Sequence, residues 1–173
     1  MSKDNNSPKV GILMGSDSDW NVMQEAGRTL KSLGIPFEMT VTSAHRTPER
    51  THEYASTAKK RGIQALIIGA GAAAHLAGVV ASQTNLPVIG VPLSATDLQG
   101  MDALLATVQM PGGIPVASMA IGKAGAKNAA LFAAQILALG DTELAGKLDQ
   151  YRVDMAASVG KKNAALQEKL AQL

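Results

Sequence analysis

The chain has 173 residues and a formal net charge of +2, and its lysines and arginines are dispersed along the sequence. A nucleic-acid groove usually combines a basic patch with aromatic side chains that stack on bases, whereas aromatic residues make up only 3% of this chain, so no nucleic-acid partner is expected. The absence of cysteine excludes a disulfide framework, a thiol nucleophile and a cysteine-ligated metal.

Small aliphatic side chains must fill the interior, because hydrophobic residues make up 46% of the chain while aromatic ones are rare. A chain of this length is typical of one domain with a real core, so we expect a single domain over residues 1–173. The polar segment 1–8 lacks the apolar stretch of a signal peptide, and we expect it to be flexible. The apolar run 65–81 is interrupted by glycines and by His75, so no membrane span is predicted and a cytoplasmic protein is expected.

Apolar runs alternate with helical patterns along the chain. Predicted strands cover residues 9–14, 37–41, 65–68, 87–91 and 116–120. Predicted helices run from the turn at 16–19 to 33, and over 48–61, 75–83, 101–109 and 126–139. Strands that alternate with helices indicate an α/β fold, a three-layer αβα sandwich with a five-strand parallel sheet, and we predict the flavodoxin-like strand order.

A last helix is predicted over residues 141–173, with Asp141 as its cap. An apolar seam recurs in it at spacings of four, three and four residues: Leu144, Leu148, Tyr151 and Met155. This helix follows a complete five-strand unit and has no strand of its own to cover. Two interpretations stay open, because the helix could project and contact neighbouring subunits or could fold back on its own domain.

The turn 43–48 joins the second strand to the second helix. Thr47 as N-cap and Pro48 as first helical residue form a strong helix-initiation pair, and the strand is predicted to end at His45. Ligands bind at the carboxyl ends of strands in an open parallel sheet. His45, followed directly by the anion-binding side chain of Arg46, is therefore a candidate for chemistry rather than only an exposed helix start.

Three turns at strand carboxyl ends are rich in polar or small residues, and we expect them to lie side by side: 15–19, 43–46 and 69–75. Ser16 and Ser18 present hydroxyl and N–H groups at a helix start, where a phosphate could bind with help from Arg46. The acidic residues in the same turn would repel a phosphate, so at least one of them, Asp17 or Asp19, would accept hydrogen bonds from sugar hydroxyls. Plain helix capping is the alternative for this cluster.

Residues 69–74 match the G-x-G-x-x-A fingerprint of dinucleotide-binding folds. The fingerprint requires an acidic residue at the end of the next strand, but the first acid beyond that strand is Asp97, within a loop. The small residues are better explained by close approach of a ligand to the backbone. His75 is as consistent with a structural hydrogen bond as with chemistry, His52 is expected on the surface, and no metal site is predicted.

Taken together, five motifs resemble the N5-carboxyaminoimidazole ribonucleotide mutases of purine biosynthesis over nearly the whole chain. They are 14–20 (MGSDSDW), 43–48 (SAHRTP), 69–76 (GAGAAAHL), 90–92 (GVP) and 109–116 (QMPGGIPV). The ending of the second motif is similar to the microbial mutase class rather than to the related carboxylases that use aminoimidazole ribonucleotide and carbon dioxide. The chain departs from the family pattern at Ala72, where glycine is usual, and at Ala77, where proline is usual.

The resemblance implies a flavodoxin-like subunit in an octamer, without metal or organic cofactor. It implies that His45 is the catalytic acid and base, and that a carboxylate moves from the exocyclic nitrogen to ring carbon C4 of one nucleotide. The implied substrate-binding residues are Ser16, Asp19 and Arg46 at the ribose phosphate, Ser18 and Ser43 as weaker candidates there, and Gly71, Ala72 and His75 beside the imidazole and its carboxylate. Two other functions stay open: the sister carboxylase reaction with free carbon dioxide, and a non-catalytic nucleotide-binding module.

Overall fold

Five parallel strands form the central sheet in the computed structural model, which describes residues 7–173. They are β1 (Val10–Met14), β2 (Phe37–Val41), β3 (Ala65–Gly71), β4 (Val88–Leu93) and β5 (Ala117–Ser118). Their spatial order is β2-β1-β3-β4-β5, which confirms the predicted flavodoxin-like order. Most of the segment predicted to be flexible, residues 1–6 of 1–8, lies outside the described residues.

Within residues 7–173, six α-helices connect and follow these strands. They are α1 (Trp20–Ser32), α2 (Pro48–Ala58), α3 (Leu76–Ala81), α4 (Met101–Val108), α5 (Lys123–Ala138) and α6 (Thr142–Leu170). Helices α1 and α5 cover one face of the sheet, whereas α2, α3 and α4 cover the other. The three-layer sandwich is therefore as predicted. Within residues 7–173, no helix is both long and apolar enough to cross a membrane.

The strands at the centre of the sheet are buried on both faces, which explains their continuous apolar runs. Ile12, Ile67 and Ile89 point into the α1/α5 layer, and Leu66 and Ile68 point into the opposite one. Alanines on the inner face of α5 are fully buried and let that helix approach the sheet and α1 closely: Ala126, Ala129, Ala130, Ala133 and Ala134. A core of small residues is what the composition required.

Several element boundaries differ from the prediction. Strand β5 has two residues rather than five, because it is an edge strand that pairs only with β4 and is preceded by Pro115, which has no N–H to donate. Helix α2 ends at Ala58 rather than near Arg61. The chain then turns through Gly62, whose φ of +96° lets the Ile63 N–H donate back to the Ala58 carbonyl at 3.1 Å. Strand β3 continues to Gly71 rather than ending at residue 68, and β4 continues to Leu93 rather than 91. The remaining differences are a few residues at element ends, where the boundary is indistinct.

Helix α6 divides into a packed part and a projecting part. Asp141 caps it by accepting the Leu144 N–H at 3.0 Å, as predicted. Leu144 is buried in the core beside α5 and Leu148 packs against the same core, so the interpretation that the helix folds back on its own domain is right for its first turns. Every residue after Tyr151 is exposed, and Met155 has 43% of its surface accessible.

Candidate active site

The three turns predicted to lie side by side do meet at the carboxyl edge of the sheet, around a cavity of about 350 Å³. Each strand stops at this edge, and the chain passes through a short turn before the next helix begins. The lining residues from the sequence prediction are Ser16, Ser18, Asp19, Ser43, His45, Arg46, Gly71, Ala72 and His75. The structure thus brings every candidate site residue into one pocket.

The first turn, 16–19, is held by hydrogen bonds among its own residues. Ser16 and Asp19 form a capping box, in which the Ser16 N–H donates to the Asp19 carboxylate at 3.0 Å. The Ser18 hydroxyl donates to the Ser16 hydroxyl at 2.9 Å. Capping therefore occurs here, and it leaves the two hydroxyls together on the wall of the pocket.

Asp19 is half-buried, and burial raises the pKa of its carboxyl above the usual value. The backbone N–H groups of Ser16 and Gly15 oppose this by hydrogen bonding to the carboxylate, and the charge of Asp17 adds to the increase. The charged form of Asp19 is thus less favourable in the folded chain than in water.

Strand β2 covers Phe37–Val41, the range predicted for it, so His45 lies within the second turn and not at the strand end. Thr47 is the N-cap of α2 and Pro48 its first residue, as predicted, but the Thr47 hydroxyl does not cap the helix. It accepts the Ser43 N–H at 2.9 Å and donates to the Ser43 carbonyl at 3.1 Å, closing the turn on itself. This closed turn carries His45 out of the sheet and over the pocket.

Arg46 ties the second turn to the first. Its Nη2 donates to the Gly15 carbonyl at 3.1 Å, and its backbone N–H donates to the Ser43 hydroxyl at 3.2 Å. The guanidinium is exposed, and it lines the same cavity as the hydroxyls of Ser16 and Ser18. One end of the pocket therefore combines a fixed positive charge with several hydroxyl groups, which suits an anionic ligand.

The two histidines of the pocket are in direct contact. His45 Nε2 lies 3.0 Å from His75 Nδ1, and the rings meet edge to face with centroids 5.1 Å apart. Because one of these nitrogens must donate and the other accept, the contact holds a single proton. The third histidine, His52, is exposed on α2 and bonds to Gln83 instead, outside the lining of the pocket, as expected for a surface residue.

The third turn, which leads from β3 to α3, is shaped by its backbone. Ala72 has φ +53°, a left-handed conformation that alanine rarely adopts. A short backbone hydrogen bond closes the turn after it, because the Ala74 N–H donates to the Ala72 carbonyl at 2.8 Å. Ala72, one of the two departures from the family pattern, thus stands in the conformation that glycine adopts most easily.

Sequence reasoning missed Ala95, which lines the pocket from the loop after β4. A Cβ on Gly71 would lie 2.5 Å from the Ala95 methyl group, so the absence of a side chain at 71 lets that loop close on the pocket. The signal for this contact was the glycine itself, but nothing in the sequence indicated which loop approaches it.

The glycine that begins the dinucleotide-like fingerprint has a packing role. A Cβ on Gly69 would lie 2.5 Å from the sulfur of Met23, a fully buried residue of α1. Gly69 therefore lets α1 lie close to the sheet. This packing role agrees with the prediction that residues 69–74 do not form a dinucleotide site. Among residues 7–173, no three His, Cys, Asp or Glu side chains are grouped so that they could hold a metal ion.

Comparison with known proteins gives one consistent result. The family model described as AIR carboxylase matches residues 9–158. The chain is 57% identical to the N5-carboxyaminoimidazole ribonucleotide mutase of Bacillus subtilis, over 88% of this chain and 94% of that one. It is 54% identical to the mutase of Pyrococcus horikoshii, over 97% and 94% of the two chains. The crystal structure of Treponema denticola PurE is similar with a TM-score of 0.82 and 30% identity, over 92% of this chain and 98% of that one.

Proposed function

Because the chain belongs to the AIR carboxylase family, we propose that it converts N5-carboxyaminoimidazole ribonucleotide to 4-carboxy-5-aminoimidazole ribonucleotide in purine biosynthesis. The mutase relatives are more than half identical across almost the whole chain, which favours this isomerisation over carboxylation with free carbon dioxide. The observation that carries the proposal is the His45–His75 pair, in a pocket with an anion-binding end.

The substrate's phosphate lies at the end of the pocket formed by Ser16, Ser18 and Arg46. An arginine held by two hydrogen bonds keeps further N–H donors for phosphate oxygens, and serine hydroxyls can turn to donate as well. Ser43, whose hydroxyl holds the Arg46 backbone, positions that arginine. Asp19 accepts hydrogen bonds from ribose hydroxyls, because it lines the pocket and its negative charge would repel the phosphate.

The imidazole and its carboxylate lie at the other end, against Gly71, Ala72 and His75. Small side chains there leave the backbone accessible and keep the wall apolar. A wall of this kind can hold carbon dioxide between its release and its recapture, because few polar groups or waters compete for it.

His45 acts first as an acid and then as a base. As the C–N bond of the carboxyamino group breaks, protonated His45 delivers its proton to the exocyclic nitrogen and carbon dioxide is released in the pocket. Ring carbon C4 attacks the carbon dioxide, and His45 then takes the proton from C4 and restores the aromatic ring. No net proton is consumed, which suits one imidazole that exchanges protons near neutral pH. His75 holds the His45 ring through the bond of 3.0 Å.

The proposal includes assembly into a homo-octamer. Two exposed apolar stripes support it: Leu98, Met101, Leu105 and Val108 on and before α4, and Met155, Val159, Leu166 and Leu170 on the projecting part of α6. Each such side chain stabilises an interface by about 1.5 to 3 kcal/mol at full burial. We expect sedimentation to give an octamer and removal of residues 152–173 to weaken it, since that cut spares the packed turns of α6. Sedimentation of the intact chain as a monomer would contradict this proposal.

The cytoplasmic location of the protein stays a prediction.

The direct test is turnover by the purified protein. We expect conversion of the carboxyamino nucleotide without added bicarbonate, followed by the change in ultraviolet absorbance as the carboxylate reaches the ring. Equal turnover of aminoimidazole ribonucleotide with bicarbonate would instead indicate the sister carboxylase. Binding of both nucleotides without conversion of either would indicate a non-catalytic module.

A further inference from the structure

Ala95, in the loop after β4 (residues 94–99), lines the pocket, although neither the sequence motifs nor the proposed proton transfers involve that loop. Strand β4 lies on the far side of β3 from β1 and β2. Ala95 therefore reaches the pocket at the flank opposite Arg46 and beside Gly71. This is the end that the proposed function gives to the imidazole and its carboxylate.

The position of Ala95 is determined from both sides. Behind it, the bare backbone of Gly71 leaves no space for even one more carbon, since a Cβ there would lie 2.5 Å from the Ala95 methyl group. Along the chain, the next residue of the loop is held as well, because the Thr96 hydroxyl donates to the Asp102 carboxylate at 2.7 Å and accepts the Leu98 N–H at 3.2 Å. A methyl group held in this way cannot easily move aside for a larger ligand.

We propose that Ala95 is a specificity-determining residue, whose methyl group sets how large a substituent on the imidazole the pocket accepts. The inference rests on the proposed function, because it needs the base to lie at this end. A larger side chain at 95 cannot turn back towards Gly71, so it must extend into the space beside Ala72 and His75. The space it removes is that of the carboxylate and not that of the phosphate.

The test compares the binding of three ligands to wild type, Ala95→Leu and Ala95→Val. Each ligand in turn occupies less of this end of the pocket. They are the carboxyamino nucleotide by KM, aminoimidazole ribonucleotide by its dissociation constant, and ribose 5-phosphate by competitive inhibition. We expect Ala95→Leu to weaken binding of the carboxyamino nucleotide by roughly tenfold or more and binding of aminoimidazole ribonucleotide less. Binding of ribose 5-phosphate should weaken by less than about twofold, because overpacking acts only where atoms collide. Ala95→Val should show the same order with smaller changes.

Asp97→Leu is the matched control, since it places the same side chain two residues away in the same loop, outside the lining of the pocket. It should leave all three ligands unchanged, and thermal unfolding of each variant shows that it is folded. Equal weakening of all three ligands by both Ala95 variants, or no weakening of any, would overturn the assignment. Failure of wild type to convert the nucleotide would instead overturn the proposed function itself.

Discussion

The two ends of the pocket are built in different ways. At the end with Ser16, Ser18 and Arg46, polar groups are held by hydrogen bonds within a turn or between neighbouring turns. At the end with Ala72 and His75, the shape comes from a left-handed residue, from small side chains and from one histidine contact. The first end offers polar side chains that can bind a ligand, whereas the second end encloses the atoms that would react. Substitutions at the first end should therefore affect binding of the whole nucleotide. Those at the second end should affect turnover or the fit of the imidazole and its carboxylate.

Replacing the proton carrier should have the largest effect. His45→Asn keeps a polar side chain of similar reach but cannot exchange a proton, so we expect kcat to fall by about 10² to 10⁴ while nucleotide binding survives. The measurement is kcat together with the nucleotide dissociation constant. His75→Asn is the matched variant, because it removes the other half of the same contact. A near wild-type rate for His45→Asn with an inactive His75→Asn would mean that His75 carries the proton and His45 only positions it.

Arg46→Ala should act mainly on affinity. Loss of charged hydrogen bonds to a phosphate removes about 1.5 to 3 kcal/mol, which raises KM by roughly 10- to 150-fold while kcat changes little. Arg50→Ala, at an exposed arginine of α2 outside the pocket, is the control and should behave as wild type. A lower kcat at unchanged KM would mean that this arginine serves the reaction rather than binding.

Ala72→Gly should stabilise the fold slightly. The left-handed conformation is unfavourable for alanine by about 1 to 2 kcal/mol, and the extra freedom of glycine in the unfolded chain offsets up to about 1 kcal/mol of that. Ala73→Gly is the matched control, because Ala73 has no positive φ and should only lose stability. We expect the free energies of unfolding of the two variants to differ by about 1 to 2 kcal/mol. Equal effects of the two substitutions would contradict a strained Ala72.

Asp19→Asn should show the smallest effect, and that effect should depend on pH. Burial raises the pKa of the Asp19 carboxyl, so the folded chain holds this proton more tightly than the unfolded chain does. The wild type therefore loses stability as the pH rises from below the ordinary value of 3.8 through the raised pKa. We expect the stability of the variant, measured by the urea midpoint, to rise relative to that of wild type as the pH increases above the ordinary value of 3.8. A difference that does not change with pH would contradict this.

What the sequence determined by itself is the order of the elements and the polar content of the pocket. Continuous apolar runs, glycine stops and the initiation pair Thr47–Pro48 depend on local backbone and burial preferences, which act within a few residues. The capping box at Ser16 and Asp19 is local in the same sense. Because parallel strands all end at one edge, the sequence also predicted that the three turns would meet.

Only the tertiary structure decided how that pocket closes. The left-handed φ of Ala72 persists because the surrounding turn holds it, against the preference of its own residue type. The contact of Ala95 with Gly71 joins the ends of the neighbouring strands β3 and β4. The His45–His75 bond joins the turns after β2 and β3 and crosses over β1, which lies between those two strands. The division of α6 after Tyr151 likewise depends on where α5 begins, since Tyr151 lies beside Lys127 in the first turns of α5, and not on the seam that runs through both parts. These features depend on distances between elements, to which a local pattern of residues is insensitive.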